Sequence, residues 1–278
     1  MAFNAEHTVA RHYGNSLIEE NILNSLRTAG KDLERLTSDD LAPVDEFHIG
    51  GREATVEIAE AMDLAPAMHL LDVGCGIGGP ARFLAEHYRA HVTGIDLTPE
   101  FVSAAESLTK RLNLDKLVQF RCGSALQLPF DDGSFDGAYL FHVGMNISDK
   151  ARLFSEVRRV VKAGGVFGLY EVMRTGDGEL AYPVPWAMEP ETSFLAMPER
   201  YRLLLQGVGF RVMRERNRRA FALEFFAKMQ AQAAAAGVSG AVPLGLSMIM
   251  GPAAPAKVGN MIANLKAGRI APVEMICR

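Results

Sequence analysis

Cysteine is scarce in this chain. Its 278 residues hold three, Cys75, Cys122 and Cys277, with no two close together. An odd, dispersed set argues against a disulfide framework and against a thiolate metal site, and it fits a reducing compartment. Positive charge is not in excess either. The formal net charge is −4, so no broad basic field invites nucleic acid. The N-terminal stretch MAFNAEHTVARHYGN has no basic segment running into an apolar core, so it does not read as a secretory signal. Long apolar runs are also missing, with one stretch to weigh. Residues 237–256 carry no charge, but prolines and glycines interrupt them and the bulky residues sit only in the middle. A loop with a short buried segment is expected there, with no stable membrane insertion. Tryptophan occurs once, at Trp186. These absences leave a cytoplasmic protein with a small-molecule partner as the expectation.

What is present is ordinary globular material. Hydrophobic residues make up 49% and charged residues 22%, which excludes disorder of the whole chain. The length suits one large α/β domain. Residues 1 to about 47 read as helical, with Ile18, Ile22, Leu23 and Leu26 on one face and Gly30 ending that helix. After FHIGG, the segment REATVEIAEAM reads as a second amphipathic helix. Strands and helices then alternate: HLLDV, PARFLAEHY, HVTGID, PEFVSAAESLTKRL, LVQFRC, FDGAYLF, DKARLFSEVRRVV and GGVFGLYEV. That rhythm implies a parallel sheet with crossover helices. Residues 173–198 break it with four prolines, Trp186 and Phe194, and read as an ordered lid. PERYRLLL, GFRVMRER, two further helices and a last strand in RIAPVEMICR follow.

The stretch LLDVGCGIGGPARFL carries most of the chemistry. Gly74-x-Gly76-x-x-Gly79 matches the dinucleotide fingerprint by spacing. Its neighbours point elsewhere. Asp72 lies two residues before Gly74, where an acid repels a pyrophosphate and suits an ammonium. Asp96 ends the next strand, in position to accept bonds from a ribose hydroxyl pair. The third strand leads into GSALQLPF, where backbone can pair with an adenine edge and Leu126 can pack on its ring. Adenine, ribose and an amino acid without phosphate describe S-adenosylmethionine.

The glycine loop, Asp72, Asp96, LPF-x-x-x-x-FD and LFSEVRRVVKAGG together resemble class I S-adenosylmethionine-dependent methyltransferases, over residues 70–172. FHIGGREAT is similar to small-molecule N-methyltransferases acting on sarcosine and dimethylglycine, and less so to phosphoethanolamine methyltransferases. The resemblance implies a Rossmann-like seven-stranded, mostly parallel sheet with helices on both faces and an antiparallel last strand. It implies a helical cap over 1–65, a cofactor core over 66–172, and a lid insertion with completion of the sheet over 173–278. Cofactor contacts are expected from Gly51, Asp72, Gly74, Cys75, Gly76, Gly78, Asp96, Leu97, Ser124, Ala125, Leu126 and Phe141. One departure stands out. Many members have an Asp, which contacts the adenine amino group, where this chain has Ser124. No metal is expected.

Methyl transfer needs the acceptor in line with the sulfur–carbon bond, so positioning dominates. His142, after the fourth strand, is the expected catalytic residue, as base or as positioning clamp, with Tyr13 reaching in from the N-terminus. Tyr170 and Glu171, at the end of the fifth strand, are candidates for the same cavity, and Arg52 for a carboxylate partner. Trp186 and Phe194 could flank a flat or cationic acceptor, and Met188, Met197, Met248 and Met250 could shape an apolar pocket. The expected reaction is methylation of a nitrogen or oxygen on a small molecule. Carbon methylation of a quinone or prenylated ring is the alternative, and binding of the cofactor without turnover is the reading from another class.

Overall fold

Apolar strand segments alternate with amphipathic helices, and the alternation builds one sheet. The computed structural model describes residue 6 and residues 17–235 and 244–278. Three helices come first: α1 (Ile18–Thr28), α2 (Ser38–Asp45) and α3 (Gly51–Met62). Then follow β1 (His69–Val73), α4 (Gly79–Tyr88), β2 (His91–Asp96), α5 (Pro99–Arg111), β3 (Val118–Cys122), β4 (Phe135–Phe141), α6 (Lys150–Val160) and β5 (Val161–Arg174). The remaining elements are α7 (Pro198–Gly207), β6 (Val212–Asn217), α8 (Arg219–Ala235), α9 (Leu244–Met250), α10 (Ala254–Lys266) and β7 (Ile270–Cys277).

The strand order is β3-β2-β1-β4-β5-β7-β6. Strands β1 to β5 pair in parallel, with Asp72 beside Gly94 on one side and Tyr139 on the other. Strand β7 runs antiparallel to both β5 and β6. The seven-stranded, mostly parallel sheet and its antiparallel last strand are thus as the resemblance implies. Parallel neighbours need crossovers, and α4, α5 and α6 supply those from β1 to β2, β2 to β3 and β4 to β5.

Side chains alternate across the sheet. Leu71 and Val73 pack on the α6–α7 face, and Leu70 packs on the α3–α4–α5 face. Alternation therefore turns Asp72 the way of Leu70, under the loop that follows β1. Helix α6 buries Leu153, Phe154, Val157 and Val160 completely. Each such side chain contributes about 1.5–3 kcal/mol by leaving water.

The order of strands reverses between β1 and β4, which opens a crevice at their carboxyl ends. Two satellite clusters flank it. Ile22 and Leu41 of α1 and α2 pack against Leu108 of α5. Val184 and Trp186 pack with Phe226 of α8 and Met261 of α10. The segment between β5 and α7 is ordered by a bridge between Val184 and Ala187 and by Trp186 Nε1 donating to Ser193 Oγ at 2.9 Å. Among the described residues, no helix is long and apolar enough to cross a membrane.

Candidate active site

The loop after β1 is held open by its neighbours. Gly74 N–H and Cys75 N–H both donate to Ile95 O, at 2.8 and 3.0 Å, which bends the chain over the end of β2. Gly74 has φ 75°, and a Cβ there would meet Val143 Cγ2 at 2.4 Å. Only glycine fits that approach. Gly78 caps α4 with φ 82°, and a Cβ there would strike the Phe120 ring at 2.5 Å, so this glycine serves helix packing.

Asp96 fastens the same loop. Its Oδ2 accepts from Gly76 N–H and its Oδ1 from Thr98 N–H, each at 2.9 Å. Burial raises the pKa of Asp96, while these amides pull the other way. Each oxygen retains lone-pair capacity toward the crevice. Asp72 is buried, and burial pushes its carboxyl up to about 8. Its Oδ2 has no hydrogen-bond partner among the described residues.

His142 follows β4 in a left-handed conformation, φ 55°. Its Nδ1 lies 3.0 Å from Tyr170 O, an acceptor, so Nδ1 carries the proton. Ile49 N–H approaches Nε2 at 3.4 Å. Burial, with His48 beside it, pushes the imidazole down to about 3, so His142 is neutral. His48 is likewise pushed down to about 4 by burial.

These pieces border one cleft. One end is lined by Gly74, Gly76, Asp96, Leu97, Ala125 and Leu126, the other by Ile49, His142, Met145, Ile147, Trp186 and Met250. Phe141 stands between, after Tyr139 on β4. The remaining expected residues lie outside the lining. Asp72 sits beneath the loop, and Cys75 is buried with its Sγ toward Gly76 O. Gly51 opens α3, where its carbonyl lies 3.1 Å from His48 Nε2. Ser124 Oγ is bonded to Glu6 and Leu126 behind the lining. Tyr13 lies outside the described residues.

Several candidates serve neighbouring elements. Glu171 is fully buried, accepts from Val143 N–H at 2.7 Å, and is pushed up to about 8 by burial. Tyr170 is buried beneath His142. Arg52 Nε donates to Glu46 Oε1 at 2.7 Å, and its guanidinium lies over Phe83. Met188 and Met197 are exposed, whereas Met250 is buried at the cleft. Sequence reasoning passed over Glu6, Met145, Asn146, Ile249 and Met261, which also line it. For Met145 and Asn146 the signal was proximity to His142. For Glu6 there was none.

The residues fit S-adenosylmethionine. The cleft has an end lined by Gly74 and Gly76 beside the Asp96 carboxylate, a short turn at Ala125 and Leu126, and a buried acid, Asp72, beneath the loop.

Comparison with known proteins agrees. Residues 71–169 match the family model for the methyltransferase domain. The 24-methylenesterol C-methyltransferase 2 of Arabidopsis thaliana is 40% identical over 116 residues, 42% of this chain and 32% of that protein. The match thus spans about a third of that relative's length. The structure of the [4+2]-cyclase SpnF is 26% identical with a TM-score of 0.64, covering 81% of this chain and 79% of that one. A structure assigned as a sarcosine dimethylglycine methyltransferase from Galdieria sulphuraria is 20% identical, TM-score 0.66, with 81% and 84% covered. Geranyl diphosphate C-methyltransferase from Streptomyces coelicolor A3(2) is 17% identical, TM-score 0.70, with 99% and 98% covered. The last two likenesses are ones of fold.

Proposed function

We propose that the chain, whose residues 71–169 match a methyltransferase domain, uses S-adenosylmethionine to transfer a methyl group to carbon on a neutral, apolar small molecule. The cofactor supplies a sulfonium-activated methyl group when bound. Asp96 takes the ribose hydroxyls, the Gly74–Gly76 backbone admits the amino-acid end, and Ala125 and Leu126 border the adenine. The negative charge available to Asp72 favours the cationic end of the ligand.

One observation carries the choice of acceptor. The acceptor end is lined by Ile49, Met145, Ile147, Trp186, Met250 and Met261, and among the described lining residues none is Arg or Lys. An amino-acid or phosphorylated acceptor would leave its anion unpaired there, at a cost of several kcal/mol or about that order. A carbon nucleophile needs no proton removed before attack, so the neutral, hydrogen-bonded His142 suffices as a positioning group. Phe141 and Trp186 border the cleft, and aromatic rings favour positive charge that develops on the acceptor. The likeness to the 24-methylenesterol C-methyltransferase supports carbon as the site. Nitrogen and oxygen acceptors rank below it.

The test is incubation with methyl-labelled S-adenosylmethionine and two acceptor panels. One holds sterols, prenyl alcohols and prenylated quinols, and the other holds sarcosine and phosphoethanolamine. Label is expected in the first panel. Label confined to the amines overturns the proposal. The cyclase likeness favours a second reading, in which the cleft shapes an apolar substrate without methyl transfer. S-adenosylhomocysteine binding with no labelled product in either panel is the outcome that selects it.

A further inference from the structure

Among the described residues, two carboxylates line the cleft, Asp96 and Glu6. Asp96 is committed to the loop after β1 by its two amide bonds. Glu6 stands elsewhere, at the turn after β3. Ser124 Oγ donates to Glu6 Oε1 and accepts from Leu126 N–H at 3.0 Å. The single hydroxyl proton of Ser124 is therefore directed at Glu6. Ala125 and Leu126, next along this turn, line the cleft with Glu6.

An adenine edge at this turn has distinct needs. Its ring nitrogens accept, and backbone N–H groups can serve them. Its 6-amino group donates two hydrogens and needs an oxygen acceptor. A carboxylate offers about four lone-pair directions, so Glu6 can take the Ser124 hydroxyl and a second donor together. A hydrogen bond to an ionised acceptor is roughly twice as strong as one between neutral groups. Ser124 alone is the weaker acceptor, because one of its lone pairs already serves Leu126 N–H.

We propose that Glu6 reads the 6-amino group of the bound cofactor's adenine and sets base specificity, with Ser124 as the residue that positions it. The carboxylate comes from the N-terminal segment rather than from the β3 turn. The inference rests on the methyltransferase-domain reading of the cleft. A hypoxanthine base, with oxygen at position 6, sets a lone pair against the Glu6 carboxylate and is rejected.

Calorimetry with S-adenosylhomocysteine and with S-inosylhomocysteine tests this without an acceptor. Wild-type protein is expected to prefer the adenine ligand by about tenfold or more, in line with loss of a charged hydrogen bond. Glu6→Ala is expected to lose about tenfold in affinity for S-adenosylhomocysteine and to erase the preference. The double variant Glu6→Ala with Ser124→Asp is expected to recover both, because it returns a carboxylate to the turn from the other side. Glu6→Gln keeps the shape and tests the charge alone, with an intermediate loss expected. Glu6→Ala with wild-type affinity and undiminished preference overturns the proposal. Wild-type protein that binds neither ligand overturns the cofactor reading itself, a separate and recognisable result.

Discussion

His142 occupies backbone space that non-glycine residues seldom enter, φ 55°, and it is held there from two sides. Tyr170 O fixes its tautomer and Ile49 N–H approaches its other nitrogen. With its imidazole pushed down to about 3, protonation is costly in this setting, and a general-base role is poorly served. His142→Gln is therefore expected to lower turnover on a verified acceptor by less than about tenfold, well short of the 10²- to 10⁴-fold typical of a lost general base. A rate profile with an ionisation near 6.5 that disappears in the variant would contradict this. Asp96 differs in kind, because it holds the loop and, on the proposed reading, takes the ribose as well. Asp96→Ala is expected to weaken S-adenosylhomocysteine binding by about 10- to 100-fold, as for loss of two charge-assisted bonds. Calorimetry giving wild-type affinity would remove the ribose role.

At the scale of elements, the lid and the loop after β4 are joined by one buried cation. Lys150 Nζ donates to Gly144 O at 3.0 Å, to Ile147 O at 2.8 Å, and to Phe194 O in the lid. Phe194 N–H returns a bond to Met145 O at 2.9 Å. Ser193, beside it, holds Trp186 over the cleft. Lys150→Met removes three hydrogen bonds, and of their acceptors only Gly144 O keeps another, from Ile147 N–H, so the segment carrying Phe194 loosens. Trp186 is the only tryptophan in the chain, which makes its emission a direct report on the lid. A shift to longer wavelength is expected in Lys150→Met, with partial recovery in Lys150→Arg. An unchanged spectrum in folded Lys150→Met counts against this coupling. None of this network was legible in the sequence. Strands β1 to β5 were, because short apolar runs bounded by glycine and proline admit few other readings. The glycine loop with Asp72 and Asp96 was legible too, since each residue type there answers a local constraint. The stretch before residue 47, read simply as helical, holds a break, and Thr37 with Asp40 forms a capping box that starts α2. Glu6, Met250 and Met261 reach the cleft from distant parts of the chain with unremarkable local patterns. Their place at the end of the fifth strand put Tyr170 and Glu171 near the cavity, yet β7 and α7 pack around them and bury both.

The whole molecule stores its pH response in buried acids. Asp72 is raised from 3.8 to about 8 and Glu171 from 4.5 to about 8, both by burial. A folded state that keeps protons the unfolded chain releases loses stability as pH rises across that interval. Stability from these groups is complete below about pH 4 and gone above about pH 8. Asp72→Asn should therefore melt higher than wild type at pH 9, with the difference closing at pH 5. Cofactor binding enters the same balance. At pH 7 the free protein holds Asp72 mostly protonated, and a cationic ligand beside the loop pulls its pKa down. Binding is expected to release about one proton at pH 7. Titrations in two buffers of unlike ionisation enthalpy measure that proton from the difference in heats. Asp72→Asn should bind with buffer-independent heat. If wild-type protein does so as well, Asp72 does not sense the ligand's charge, and the acid before the glycine loop is there for packing under β1 alone.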